Sequence, residues 1–436
     1  MNYNNMATFK SGIKNYLKLI LILFFNLMCF SSYAFQILIP MDETQKNHLK
    51  AYGIAYWTLK QDVEIYWLLN YRGGSFLLPG NKAIINECNI RGVSYEQISD
   101  AQANSILSEI AQPEVNMDAM KLEKAPKIAV YSPKSKQPWD DAVTLALSYA
   151  EIPYDVVYDD EVLSGVLKNY DWLHLHHEDF TGQYGRFYAQ YGNAPWYKQQ
   201  VRENEEIAKR WGFQKVSQLK LAVAKKIDEF VVNGGFMFAM CSATDSYDIA
   251  LAAEGVDICG SVYDGDPADP DMNKKLDYSK GYAFENYKLN PDPLFYEFSE
   301  IDTYFTRNQY GITKENDKFT LFEFSAKWDP VPTMLCQNHT NVIQGFWGQT
   351  VAFNKNFIKK NVLIMGEAKA FNEAKYIHGE RGKGTWTYYG GHDPEDYMHK
   401  VEDPPTDLNL HPNSPGYRLI LNNVLFPAAK KKKQKT

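Results

Sequence analysis

Three strings in this sequence carry side chains able to do chemistry. In the first, Cys241 ends the apolar run Phe236-Met237-Phe238-Ala239-Met240 and opens Ser242-Ala243-Thr244-Asp245. The second is His174-Leu175-His176-His177-Glu178-Asp179, and the third is Gly390-Gly391-His392-Asp393-Pro394-Glu395. A thiol attacks or ligates as thiolate, and helix N–H groups or a nearby cation lower its pKa. On a tight strand-to-helix turn Cys241 is a candidate nucleophile with an oxyanion site beside it. A buried cysteine that only packs is the competing reading.

Imidazoles and carboxylates gathered at one strand exit bind Zn²⁺ or Fe²⁺, or else form a hydrogen-bonded polar crevice. Strand alternation puts His174 and His176 on one face and His177 on the other. His174, His176 and His392 are therefore the candidate ligands of a divalent metal. His176, His177, Glu178, Asp179 and Ser242 are candidate substrate contacts at the strand ends. The acidic string 264–271 lacks the spacing of a calcium loop and reads as a solvated turn.

Those side chains need elements to hold them. A run of five apolar residues suits a parallel strand covered on both faces. Val216, Leu219, Val223, Ile227 and Phe230 mark the amphipathic helix that feeds it. Strands are expected at Lys127–Tyr131, Tyr154–Tyr158, from Asp171, at Val362–Met365 and at Thr385–Tyr389. Pro138 at a first helical position, with Asp140 and Asp141 in the first turn, predicts a helix running to Ala150. The polar, aromatic stretch 181–213 reads as a lid, and 263–361 as an insertion containing β-structure. A last helix starts at Ser414-Pro415. Upstream, 36–120 reads as a small α/β domain with its own strand–helix alternation, including Phe76-Leu77-Leu78 and Ile84-Ile85.

The chain is 436 residues long, 45% hydrophobic and 23% charged, which suits a folded two-part α/β protein rather than a disordered one. Its formal charge of −7 gives no support for a nucleic-acid partner. Lys10, Lys14 and Lys18 precede the apolar run Leu19–Phe30, and Ser32-Tyr33-Ala34 offers small residues for cleavage. Residues 1–34 are thus read as a secretory signal peptide, leaving an exported, periplasmic or extracellular protein with no transmembrane anchor. Lys430–Lys433 form a solvated basic tail within 430–436.

The helix, the apolar strand, the Ala239-Met240-Cys241-Ser242-Ala243 turn and the later Gly-Gly-His together resemble the class I glutamine amidotransferase-like fold. Trp386-Thr387-Tyr388-Tyr389-Gly390-Gly391-His392-Asp393, with Pro415-Gly416-Tyr417-Arg418, looks like its trehalose-utilisation branch. The likeness covers 127–429 and implies a parallel, flavodoxin-like sheet. Over nearly its whole length the chain is also similar to an exported bacterial family labelled asparagine synthetase B, on His48–Trp57, His174–Gly182 and Gly390–Tyr397.

The amidotransferase likeness implies Cys241 as nucleophile, His392 as base and an acid two residues beyond it. That position is Pro394, which leaves Asp393 or Glu395 as the orienting acid. The synthetase label implies ATP chemistry, yet the Ser-Gly-Gly-x-Asp-Ser phosphate loop of true asparagine synthetases does not occur; Arg72-Gly73-Gly74-Ser75 lacks the Asp. The expected activity is a hydrolase or amidase acting on a small amide or saccharide-type substrate without ATP. The alternative is a non-catalytic binding protein on the same fold.

Overall fold

A computed structural model describes residues 35–135, 137–336 and 340–429. The signal peptide read at 1–34 and the basic tail at 430–436 lie outside the described residues.

Strands β1 (Phe35–Ile39), β2 (Ile65–Leu69), β3 (Ser75–Pro79), β4 (Glu96–Ser99) and β5 (Asp118–Leu122) form a small sheet in the order β4-β1-β3-β2-β5. Every pairing in it is antiparallel. Ile84 and Ile85 lie in the helix Lys82–Arg91, which the Asn81 side chain caps by accepting from the Ala83 N–H. That cap and the αL glycine at its far end, Gly92, outweigh the short β-branched pair between them.

The large sheet begins with β6 (Ile128–Tyr131), β7 (Asp155–Val157), β8 (Trp172–Leu175) and β9 (Phe236–Met240). It continues with β10 (Lys318–Leu321), β11 (Val342–Gln344), β12 (Phe353–Asn354), β13 (Leu363–Ala368), β14 (Glu373–Arg381) and β15 (Gly384–Tyr389). Its order is β11-β10-β13-β14-β15-β9-β8-β6-β7, with β12 on β14. From β7 to β15 neighbours run parallel; from β15 outward they are antiparallel. The sheet is therefore mixed rather than wholly parallel, because the 263–361 segment and the hairpin β14–β15 add an antiparallel wing.

All five residues of β9 are buried, as a strand covered on both faces must be. Alternation divides them: Phe236, Phe238 and Met240 join one core with Ile128, Val130 and Trp172, while Met237 and Ala239 join another with Ala129, Leu173 and Leu175. The first core also takes in Ile37, Trp67 and Leu78 of the small sheet, so the two sheets share apolar packing. Helix Pro415–Leu425 packs on both His48–Lys60 and Ala142–Tyr149 across that face. The helix expected from Pro138 starts only at Ala142, with Asp141 as its N-cap accepting from Val143 N and Thr144 N. Asp140 is thereby left outside the helix.

Candidate active site

Four strand exits converge at the C-terminal end of the parallel strands. Segments 140–141 after β6, 176–179 after β8, Cys241 after β9 and His392 after β15 all leave the sheet there. Parallel strands deliver their exits to one edge, and the order reverses between β6 and β8, where such sheets open a crevice.

Cys241 has φ +53° and ψ −141° and caps the helix Ser242–Ala252. A non-glycine residue held there costs about 1–3 kcal/mol, and the packed surroundings keep it in place. The Gln349 N–H donates to its sulfur at 3.2 Å. Burial pushes the thiol pKa up, but the His392 side chain and the amides of Gln349 and Thr350 together hold it below its ordinary value.

His392 rides on a backbone pinned from the insertion. Its N–H donates to Trp347 O at 2.8 Å, and that of Gly391 to Thr350 O at 2.7 Å. Gly391 sits at φ +91°, and a Cβ there would meet the Phe346 ring at 2.6 Å, so glycine is required. Burial would lower the imidazole, yet Asp140 and the Cys241 sulfur raise it to about 10. Cys241 and His392 thus shift each other in opposite directions, the thiol down and the imidazole up.

The carboxylate facing His392 is Asp140, whose Oδ1 lies 3.8 Å from His392 Nε2 and 2.9 Å from His399 Nε2. Burial opposes its ionisation, but the two imidazoles hold it well below the usual carboxylate range. Neither expected acid fills that place. Asp393 accepts from Tyr417 OH at 2.7 Å and from the Glu395 amide at 2.8 Å, and Glu395 pairs with His411 at 3.0 Å. The turn after His392 folds back on itself and carries both carboxylates away.

The β8 exit also differs from the alternation expected of it. The strand ends at Leu175, so His176 and His177 no longer alternate, and their rings stack at 4.4 Å. His176 and His177 lie 4.6 and 5.3 Å from the His392 ring, centroid to centroid. Asp141 lies 3.1 Å from His174 and 3.2 Å from His176. Burial lowers His176 to about 4 and His177 well below the usual range. Each of three sets brings its ligand atoms within 4.8 Å: His176, His177 and His392; Asp140, His392 and His399; Asp141, His174 and His176. Each could bind a metal, and all three rings of the first carry nitrogens without a hydrogen-bond partner among the described residues.

Of the expected substrate contacts, the Ser242 hydroxyl is buried and finds no hydrogen-bond partner among the described residues. Burial raises Glu178 to about 8. Asp179 is committed elsewhere: it accepts from Thr181 N and Oγ1 at 2.6 Å and from Gly185 N at 3.1 Å, tying down the lid. That lid lays Phe187 and Trp196 against Trp139, each 5.2 Å away, and Trp139 meets His177 edge-on at 5.2 Å.

Asp140, Asp141, His399, Gln349 and Thr350 are the participants that residue types alone do not single out. The acids after β6 occupy the same strand-exit position as the histidines after β8, and that equivalence is the signal that finds them. For the amides of 349 and 350 no side-chain signal exists.

No family model and no curated protein matches this chain. Among solved structures it is similar to cytoplasmic protein STM3548 from Salmonella typhimurium, at 11% identity over 70% of this chain and 100% of that one, with TM-score 0.32. Cytoplasmic protein STM1381 from Salmonella typhimurium LT2 matches at 10% identity over 70% and 100%, with TM-score 0.34. A β-galactosidase from Bacillus circulans sp. alkalophilus matches at 11% identity over 63% of this chain and 29% of that one, with TM-score 0.27. Likenesses this weak bear on neither fold family nor activity.

Proposed function

We propose that this chain is an exported hydrolase or amidase of the class I glutamine amidotransferase-like fold, within the family labelled asparagine synthetase B, and that it works without ATP. One observation carries the reading: Cys241 stands at positive φ on a strand-to-helix turn with an amide on its sulfur and His392 beside it. The parallel half of the sheet runs β7-β6-β8-β9-β15, a flavodoxin-like order of 2-1-3-4-5, which supports the fold assignment.

In this reading the Cys241 thiolate attacks the carbonyl carbon of a small amide. A C–S bond forms, and the carbonyl electron pair moves onto oxygen, held by N–H groups at the turn. The pair returns, the C–N bond breaks, and the His392 imidazolium gives its proton to the leaving amine. His392 then takes a proton from water, the hydroxide attacks the thioester, and the acid and the thiolate are released. Asp140 keeps the imidazole oriented throughout. The second reading, a non-catalytic binding protein, draws on the enclosure of the site: Cys241 is 2% exposed and His392 5%.

Competitive alkylation of folded protein at neutral pH separates the two. Cys241 is expected to label before Cys88, Cys259 and Cys336, whose thiols burial pushes up. Equal or slower labelling of Cys241 returns the chain to the binding reading. Purified protein given aspartate, ATP and glutamine or ammonia is expected to form no asparagine; heat-sensitive, ATP-dependent product would restore the synthetase label.

A further inference from the structure

Lys375, on β14, is 1% exposed and points its amine at backbone rather than at a carboxylate. Its Nζ donates to Phe346 O and, at 2.7 Å, to Val351 O. Those carbonyls flank the turn 347–350, so one amine ties both ends of that turn together. The amine nitrogen also lies 4.1 Å from the centroid of the Phe346 ring, which covers it. A Cβ at Gly391 would come within 2.8 Å of Nζ, so the residue before His392 leaves the slot the amine fills.

What the turn carries makes the clamp consequential. Gln349 N–H is the donor on the Cys241 sulfur, and Thr350 Oγ1 donates to Asp245 on the helix behind Cys241 at 2.8 Å. Trp347 O and Thr350 O receive the N–H groups of His392 and Gly391. One short turn therefore sets both members of the thiol–imidazole pair, and a chain loop free of helix or strand pairing needs an outside anchor to hold such positions.

We propose that Lys375 is a positioning residue for the Cys241–His392 pair, fixing the turn 347–350 so that its amides face the nucleophile sulfur. The inference rests on the thiolate reading of Cys241. Deprotonation does not release the clamp, because a neutral amine still has two N–H groups for two carbonyls.

The test is the pH profile of Cys241 alkylation in the full chain, read with iodoacetamide beside a thermal melt. Lys375→Met keeps the volume and the apolar stem but loses both donors. The expected result is a folded protein whose alkylation midpoint rises by about one pH unit, with a fall of about tenfold in rate below it. Lys375→Ala, prepared in ethylammonium, is expected to recover the wild-type midpoint and to lose it when the amine is dialysed away. Tetramethylammonium, which has no N–H, is expected to fail. This second arm decides the question if the Met variant does not fold. Superposable profiles for folded Lys375→Met and wild type, or equal rescue by tetramethylammonium, overturn the inference while the thiolate reading stands. A wild-type midpoint that is not depressed at all removes the thiolate reading, and the inference with it.

Discussion

Two ends of one sheet treat the same side chain in opposite ways. His392, beyond the C-terminal end of β15, is buried against Asp140 and Cys241 and raised to about 10. His378, on β14, is just as enclosed, but its partners are neutral, the Thr387 hydroxyl 2.9 Å from Nδ1 and the Trp386 backbone, and burial lowers it to about 3. His378 borders a groove of about 2000 Å³ that opens at the N-terminal ends of the parallel strands. The ion pairs that line it, Lys124–Asp171 and Lys226–Glu229, face solvent, unlike the buried groups around Cys241. Burial sets the direction at one end, and charged neighbours overturn it at the other. The groove and the thiol–imidazole site are separated by the whole length of the strands.

The largest effect that would break this comparison is on the thiol. Replacing His392 by Gln removes the imidazolium and leaves burial to push Cys241 up. Alkylation at neutral pH is expected to slow by about a hundredfold or more, since each unit of thiol pKa is tenfold in thiolate. A rate within threefold of wild type in a folded variant would mean the histidine does not set the thiol. Iodoacetamide kinetics with a near-ultraviolet dichroism check measure it.

The two histidines also predict opposite pH limbs. His378 is depressed in the fold, so the folded chain binds fewer protons than the unfolded one below pH 6.5; its contribution is whole above that value and is lost toward pH 3. The loss from this one residue reaches about 2 kcal/mol by pH 5. His392 is raised, so its contribution is present below 6.5 and lost as pH climbs through 10. Urea melts of His378→Gln between pH 4 and 8 are expected to show a flatter acid limb and an unchanged alkaline one. An acid limb as steep as wild type would place the sensitivity elsewhere, in His176 or His177.

A smaller effect separates the orienting acid from the base it orients. Asp140→Asn keeps the shape and drops the charge that raises His392, so the midpoint of Cys241 alkylation should rise and its neutral-pH rate fall about tenfold. His399 loses its 2.9 Å partner in the same variant, and its proton titration by NMR is expected to move down.

The strand-to-helix turn at Cys241 is legible because five apolar residues meet a Ser-Ala-Thr-Asp start, and each step has a local cause. The gathering of strand exits is legible too, since parallel strands send their exits to one edge. The hairpin β14–β15 and the antiparallel wing are not. Glu373 and Lys375 on β14 are buried ionisable side chains, satisfied by Arg307 and by the carbonyls of the 346–351 turn, so the strand shows no apolar alternation in sequence. Asp140 escapes because Pro138 and two acids match a helix start, whereas Asp141 takes the N-cap and the helix opens only at Ala142.

The smallest prediction bears on the acid that proximity in sequence favours. Glu395 stands three residues after His392, but its carboxylate pairs with His411 at 3.0 Å, where the two side chains are 24% and 35% exposed. A pair that wet contributes about 0–1 kcal/mol and little to a buried site. Glu395→Gln is therefore expected to change Cys241 alkylation by less than about twofold at any pH and stability by about 0.5 kcal/mol at most. Asp393→Asn is a poorer control, because Asp393 also caps the turn and accepts from Tyr417 OH, so its loss disturbs the backbone that bears His392. If Glu395→Gln instead slowed alkylation as much as Asp140→Asn does, the turn would have to refold in solution to bring Glu395 to the imidazole. The contrast between the two carboxylates would then collapse, and Asp140 would be the partner of His399 alone.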